Sequence, residues 1–176
     1  RTMSAGWFKA TASLLALANG VNAQCNSLSC AALSVTSATG LETVGTLRFT
    51  ATLSFSNGGN WTGQNTDFEG NWMAEPLTNN NCINVVNMCD QQRANTEDFQ
   101  VVSSGVAMSM RITEGAQSVS STFDVIVKND RVQEYAKEYF LVSLTPASQD
   151  VDPAYSYGMI EEVDEGVEVK VSRAFA

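Results

Sequence analysis

Apolar and polar residues alternate along this chain in short stretches broken by turn-forming residues. The clearest stretch is Thr46 to Phe55, where Leu47, Phe49, Ala51, Leu53 and Phe55 fall on one face and Thr46, Arg48, Thr50, Thr52 and Ser54 on the other. A strict period of two predicts a half-buried strand. The same period returns at Val106, Met108, Met110 and Ile112, at Phe123, Val125 and Val127 within Val119 to Lys128, and at Phe140, Val142 and Leu144 within Tyr139 to Leu144. It appears once more in Val167-Glu168-Val169-Lys170-Val171, and Ala31 to Ser37 reads as a further strand. Asn57-Gly58-Gly59-Asn60 and Thr113-Glu114-Gly115-Ala116 carry the Gly and Asn residues that tight turns require. Residues 56–95 lack a clear period. They are rich in Asn, Gly and Gln, with Trp61, Phe68 and Trp72 as packing anchors, and read as a long insertion with one or two short strands. Long loops of that kind often carry function, which makes this one a candidate partner surface. Arg131 to Glu138 favours a helix in places but is too short between strands to form more than a loop or one turn. About seven strands at turn-separated spacing predict an all-β, Ig-like Greek-key sandwich with a short N-terminal extension.

Composition agrees with that reading. The 176 residues, 44% hydrophobic, suffice for one domain with a sizeable core. The expected division is a segment at 1–24 and a single sandwich at 25–176. Net charge is −9, with ten Lys and Arg against nineteen Asp and Glu. Phosphate binding needs basic residues to displace counterions, so a nucleic-acid partner is not expected. The acidic surface suits cations, or serves solubility alone. A viral-capsid jelly roll shares the short strands but usually brings a basic arm for the genome, which is missing from this sequence. The sequence contains no histidine, which removes Ser-His-Asp and Cys-His catalysis and every His-containing zinc site. No pattern marks a pocket holding paired carboxylates. The chain is read as a non-enzyme.

The first 23 residues combine Arg1 and Lys9 with the apolar run Ala10 to Ala18 and the small-residue stretch Val21-Asn22-Ala23. This is the layout of a secretory signal peptide, and the run is too short to span a bilayer. Because the chain opens on Arg rather than Met, it also reads as a piece of a longer one, with residues 1–24 retained as an assembly segment. Cys25, Cys30, Cys82 and Cys89 permit three pairings, of which the spacing favours two local loops, 25 with 30 and 82 with 89. A four-cysteine zinc site competes, but the wider second spacing suits it poorly. Asn60-Trp61-Thr62 is a glycosylation sequon, which agrees with an extracellular or cell-surface location.

From Thr96 to Gly166 the order of marks resembles the Calx-beta module. Those marks are Asp98-Phe99, the Gly115 turn, Asp130, Glu134, Glu138-Tyr139-Phe140, and the acidic run Glu161-Glu162 leading to Gly166; upstream, Glu42 with Gly45-Thr46 matches the first-strand pattern. The resemblance spans Glu42 to Gly166 and is distinctive in its second half. It implies an Ig-like extracellular sandwich and a Ca²⁺ site drawn from Glu42, Asp98, Asp130, Glu134, Glu161 and Glu162, with Asp164 nearby. Calcium takes six to eight oxygen ligands, which a set of carboxylates can supply. This chain departs from the pattern at Asn129, where an acid is expected, at Val163, which interrupts the run, and in opening that run on Glu rather than Asp. The alternative is that these acids are solvated charges marking strand ends.

The functional expectation is an extracellular structural or adhesive module, a subunit or repeat of a surface filament, coat or matrix protein. Its partners are other copies of itself or neighbouring domains, reached by adding a strand to an exposed sheet edge. A calcium-binding regulatory module is the alternative.

Overall fold

The structure is a computed structural model and describes residues 24–55, 59–85, 88–129 and 136–162. Eight strands form two sheets among these residues. They are β1 (Ala31–Val35), β2 (Ala38–Leu41), β3 (Thr46–Phe55), β4 (Thr66–Pro76), β5 (Val102–Ile112), β6 (Ser118–Ile126), β7 (Lys137–Pro146) and β8 (Ala154–Glu161). One sheet runs β1-β3-β6 and the other β2-β8-β7-β4-β5. The expected all-β sandwich is the fold observed.

β1 and β2 are one stretch of chain that changes sheets. β1 lies antiparallel to β3, and after two residues the chain crosses over to run parallel to β8 as β2. One flank of the sandwich is therefore closed by short strands. On the other flank β5 and β6 are the terminal strands of their sheets and touch each other.

The inward faces follow the alternation. Leu47, Phe49, Ala51, Leu53 and Phe55 of β3 are all buried, as are Phe123, Val125 and Val127 in and just after β6, and Phe140, Val142 and Leu144 of β7. Aromatic rings join the sheets at the centre. Phe123 stacks on Phe49 at 5.4 Å and on Trp72 at 4.6 Å, and Phe140 stacks on Phe99 at 4.3 Å while meeting Phe49 edge-on at 6.2 Å. Each such pair adds about 0.5–1.5 kcal/mol beyond the area it buries. The Trp72–Phe123 stack joins β6 to β4, while β5 and β6 touch at the flank.

Four readings change. Thr66–Pro76, taken from the sequence as part of an irregular insertion, is an eleven-residue strand paired with β5 on one side and β7 on the other. β2 and β8 are strands that the period did not reveal. Val106, expected inward with Met108, Met110 and Ile112, is 44% exposed while those three are buried. The β4–β5 register slips there, since Trp72 faces Val106 but Ala74 faces Val102. The extra residues form a bulge in which Gly105 takes a φ of 72°. The expected strand at 167–171, the N-terminal segment up to residue 23 and most of the 131–138 stretch lie outside the described residues; Lys137 and Glu138 open β7.

Both local disulfides are present, Cys25–Cys30 and Cys82–Cys89. The first pins the N-terminal end to the core. Buried Cys25 pairs with the Trp61 segment, donating its N–H to the Asn60 carbonyl and accepting from the Thr62 N–H. Trp61 packs on Phe55. The second staples a segment folded over the outer face of the five-stranded sheet. There Leu77, Cys82 and Val85 bury Leu141, with Met88, Tyr139 and Tyr157 packed around them.

Candidate functional site

Several of the acidic marks lie near strand ends at one end of the sandwich. β2 and β8 finish, and β7 begins, at the same end of the sandwich, since Leu41 pairs with Glu161 and Glu161 with Lys137. The start of β3 and the end of β6 close that end from the other sheet, where the Val127 N–H donates to the Gly45 carbonyl at 3.1 Å.

Glu42 follows β2 in a short 3-10 turn, Glu42–Val44, and is only 7% exposed. Its neighbours invert the usual arrangement, because Leu41 and Val44 are the exposed residues. The strand parity explains this. Ala38 and Gly40 face inward along β2, and Glu42 continues their series. Glu138 holds the corresponding inward position on β7, ahead of Phe140, and is 6% exposed. Glu162 continues the inward series Ser156, Gly158 and Ile160 just beyond β8 and is half-buried. Its backbone N–H donates to the Ala136 carbonyl.

Asp98 reaches this end from the segment before β5 and is 4% exposed. Its Oδ2 accepts the Asn95 N–H at 2.5 Å, which caps the turn, while its carbonyl accepts the Lys128 N–H at 2.8 Å. Lys128 Nζ in turn donates to the Thr96 carbonyl at 2.6 Å. The turn delivers Phe99 onto Phe140, so the Asp-aromatic mark has a structural role of its own: the acid fixes the turn and the ring fills the core.

Glu161 behaves differently. It faces the outer surface, where Lys137 Nζ lies 3.3 Å from its Oε1. Asp130, Glu134 and Asp164 lie outside the described residues. Of the seven expected ligands, the described part of the fold therefore brings Glu42, Asp98 and Glu162 to the inner mouth and turns Glu161 away. Glu138, which the sequence marked only as part of an aromatic strand motif, is the buried acid that motif reading missed. Its signal was its parity with Phe140 and Val142. The chemistry suits a hard cation, since every candidate offers carboxylate oxygen. Among the described residues, however, no three acidic or thiol side chains are grouped closely enough to hold a metal ion.

A second charged feature lies on the outer face of the three-stranded sheet. Arg48 donates from Nε to Asp124 Oδ1 at 2.8 Å and from Nη2 to Oδ2 at 2.9 Å. The hydrogen bonds and charge of Arg48 hold the Asp124 carboxyl below its ordinary range, and Asp124 raises Arg48 in return. Around this pair the face is made of hydroxyls that bond across strands. Ser34 donates to the Thr52 carbonyl, Thr52 bonds Ser120 at 2.9 Å, and Ser54 donates to the Ala32 carbonyl. No helix among the described residues is long and apolar enough to cross a membrane.

No family model and no curated protein matches the chain. Among solved structures it is similar to the apo form of the Calx CBD1 domain, at 16% identity and a TM-score of 0.46 over 75% of this chain and 98% of that one. It is also similar to CBD12 from CALX1.2, at 18% identity and a TM-score of 0.42 over 73% of this chain and 44% of that one.

Proposed function

We propose that this chain is a non-enzymatic structural module of an extracellular or cell-surface assembly, joined to its own copies or to neighbouring domains through sheet edges. The observation that carries the reading is the asymmetry of the two flanks. β1 and β2 are only five and four residues long, whereas β5 and β6 present edges of eleven and nine residues side by side. A strand edge offers unpaired N–H and C=O groups to any extended partner, and long edges are normally blunted unless they are used. Two local disulfides support an oxidising compartment, where such bonds form and persist. Asn60, half-buried beside the Cys25 segment, is the glycan acceptor in this reading. Electron microscopy and light scattering on the purified chain test it. Ordered oligomers or filaments support the module; a monomer at every accessible concentration removes it.

One observation favours a second reading, a calcium-regulated module. Glu42, Asp98 and Glu138 are buried at one end of the sandwich, and Ca²⁺ takes six to eight oxygen ligands of the kind these carboxylates offer. Calorimetric Ca²⁺ binding with a melting temperature that falls in EDTA supports this reading. No binding at millimolar Ca²⁺ and no shift would overturn it.

A further inference from the structure

We infer that β6 is a self-complementary edge on which a second copy of this chain adds its own β6 antiparallel, about a two-fold axis at Ser121. This rests on the assembly reading above and assigns its contact.

β6 is the least protected of the four edges. It pairs with β3 through nine consecutive residues without a register shift, from Ser118 to Ile126. β5, by contrast, is interrupted by the bulge at Gly105 and carries Arg111 paired to Asp67 at 3.0 Å. Edges are usually guarded by Lys, Pro or a bulge. The sequence Ser118-Val119-Ser120-Ser121-Thr122-Phe123 has none of these and no charge at all, in a chain whose net charge is −9. Two such chains repel each other over most of their surfaces, and this strip is where they can approach.

The direction of each backbone group follows from the bonds that β6 makes. Gln117 O and Val127 N–H point towards the β3 side, whereas Ile126 O accepts from Gln100 and Lys128 N–H donates to Asp98 on the free side. Odd residues therefore serve β3. Even residues, Ser118, Ser120, Thr122 and Asp124, point their N–H and C=O groups outward, and among the described residues β6 has no strand partner but β3. The segment from Asp98 to Gln100 covers only the far end of the strand.

An antiparallel copy centred on Ser121 sets Ser118 opposite Asp124 and Ser120 opposite Thr122, twice over. These are the outward-pointing residues, so they form the hydrogen-bonded pairs, about eight bonds in all. The exposed face gains hydroxyl-to-hydroxyl neighbours, and the two Asp124 side chains sit at opposite ends of the pairing rather than facing each other. The contact is isologous and closed, which gives a dimer rather than an open fibre.

Cysteine cross-linking tests both the partner and the register. Ser121 meets itself at a pair without mutual hydrogen bonds, where the Cα atoms are about 4.5 Å apart, within the range a disulfide spans. Ser121→Cys in the full chain should form a covalent dimer under mild oxidation, with Cys25–Cys30 and Cys82–Cys89 confirmed by peptide mapping. Ser118→Cys, more exposed than position 121 but facing position 124, should not. Ser120→Pro removes an outward N–H and the Thr52–Ser120 side-chain bond while keeping the backbone ladder to β3, and should weaken association about tenfold or more. If the chain associates but position 121 cross-links no faster than 118 and Ser120→Pro changes nothing, the β6 contact is wrong while the assembly reading stands. If the wild-type chain does not associate at all, both fail.

Discussion

Gly158 gives a direct check on the core. It lies on β8 opposite Phe140 of β7, with its backbone against the Phe140 ring. A Cβ built at this position falls inside the ring, closer than real contacts allow. The ring cannot move aside, because it is fully buried, stacked on Phe99 at 4.3 Å and edge-on to Phe49 at 6.2 Å. Gly158→Ala therefore overpacks the centre of the sandwich, a change that costs about 1–3 kcal/mol and here belongs near the top of that range. Removing the conformational freedom of glycine offsets about 0.5–1 kcal/mol. The net expectation is a loss of about 2 kcal/mol, or roughly 4–8 °C in melting temperature for a domain of this size. Urea titration followed by tryptophan fluorescence measures it. In a double-mutant cycle, Phe140→Leu should relieve the clash, so that the pair is less destabilising than the sum of the singles by at least about 1 kcal/mol. Additive effects, or an alanine variant as stable as the parent, would refute the packing argument.

The Cys82–Cys89 bridge closes a loop of sequence separation 7, so replacing both cysteines with serine should cost about 2.4 kcal/mol by the loop-entropy relation. Limited proteolysis should then cut first between residues 77 and 93, as the staple over Leu141 loosens. Asp124 should titrate below the ordinary carboxylate range by NMR and return to it in Arg48→Ala. Its folded pKa is lowered, so the stabilisation from this pair is present above the unfolded value of about 4 and is lost as pH falls through the folded one. Both side chains are exposed, and melting temperature at neutral pH should hardly change.

The sequence made some strands legible and concealed others for identifiable reasons. β3 and β6 face water on one side and the core on the other, so their burial pattern appears as alternation, and β7 alternates in sequence at Phe140, Val142 and Leu144 although Leu141 and Ser143 on its outer face are buried too. β8 inverts it. Its inward residues include Ala154, Ser156 and Gly158, the last small because the Phe140 ring occupies the space, while Tyr157 and Met159 point outward, with Tyr157 packed on the disulfide-stapled segment. β4 does alternate, with Phe68, Gly70, Trp72 and Ala74 inward, but Gly70 and Asn71 read as a turn and hid it. At Gly70 a Cβ would meet the Thr145 carbonyl oxygen at 3.0 Å, a tight contact with backbone. At the acidic end, sequence marks located Glu42 and Asp98 among the buried acids. They missed Glu138, whose burial follows from strand parity, and did not show that Glu161 faces outward to Lys137.

The central claim is that this domain associates with its own copies through the β6 edge. Sedimentation velocity of the purified chain from micromolar to millimolar concentration tests it most directly, run beside Ser120→Pro. A reversible monomer–dimer equilibrium is expected for the parent, displaced towards monomer in the variant. A parent chain that sediments as monomer throughout, or a variant that associates as the parent does, would contradict it.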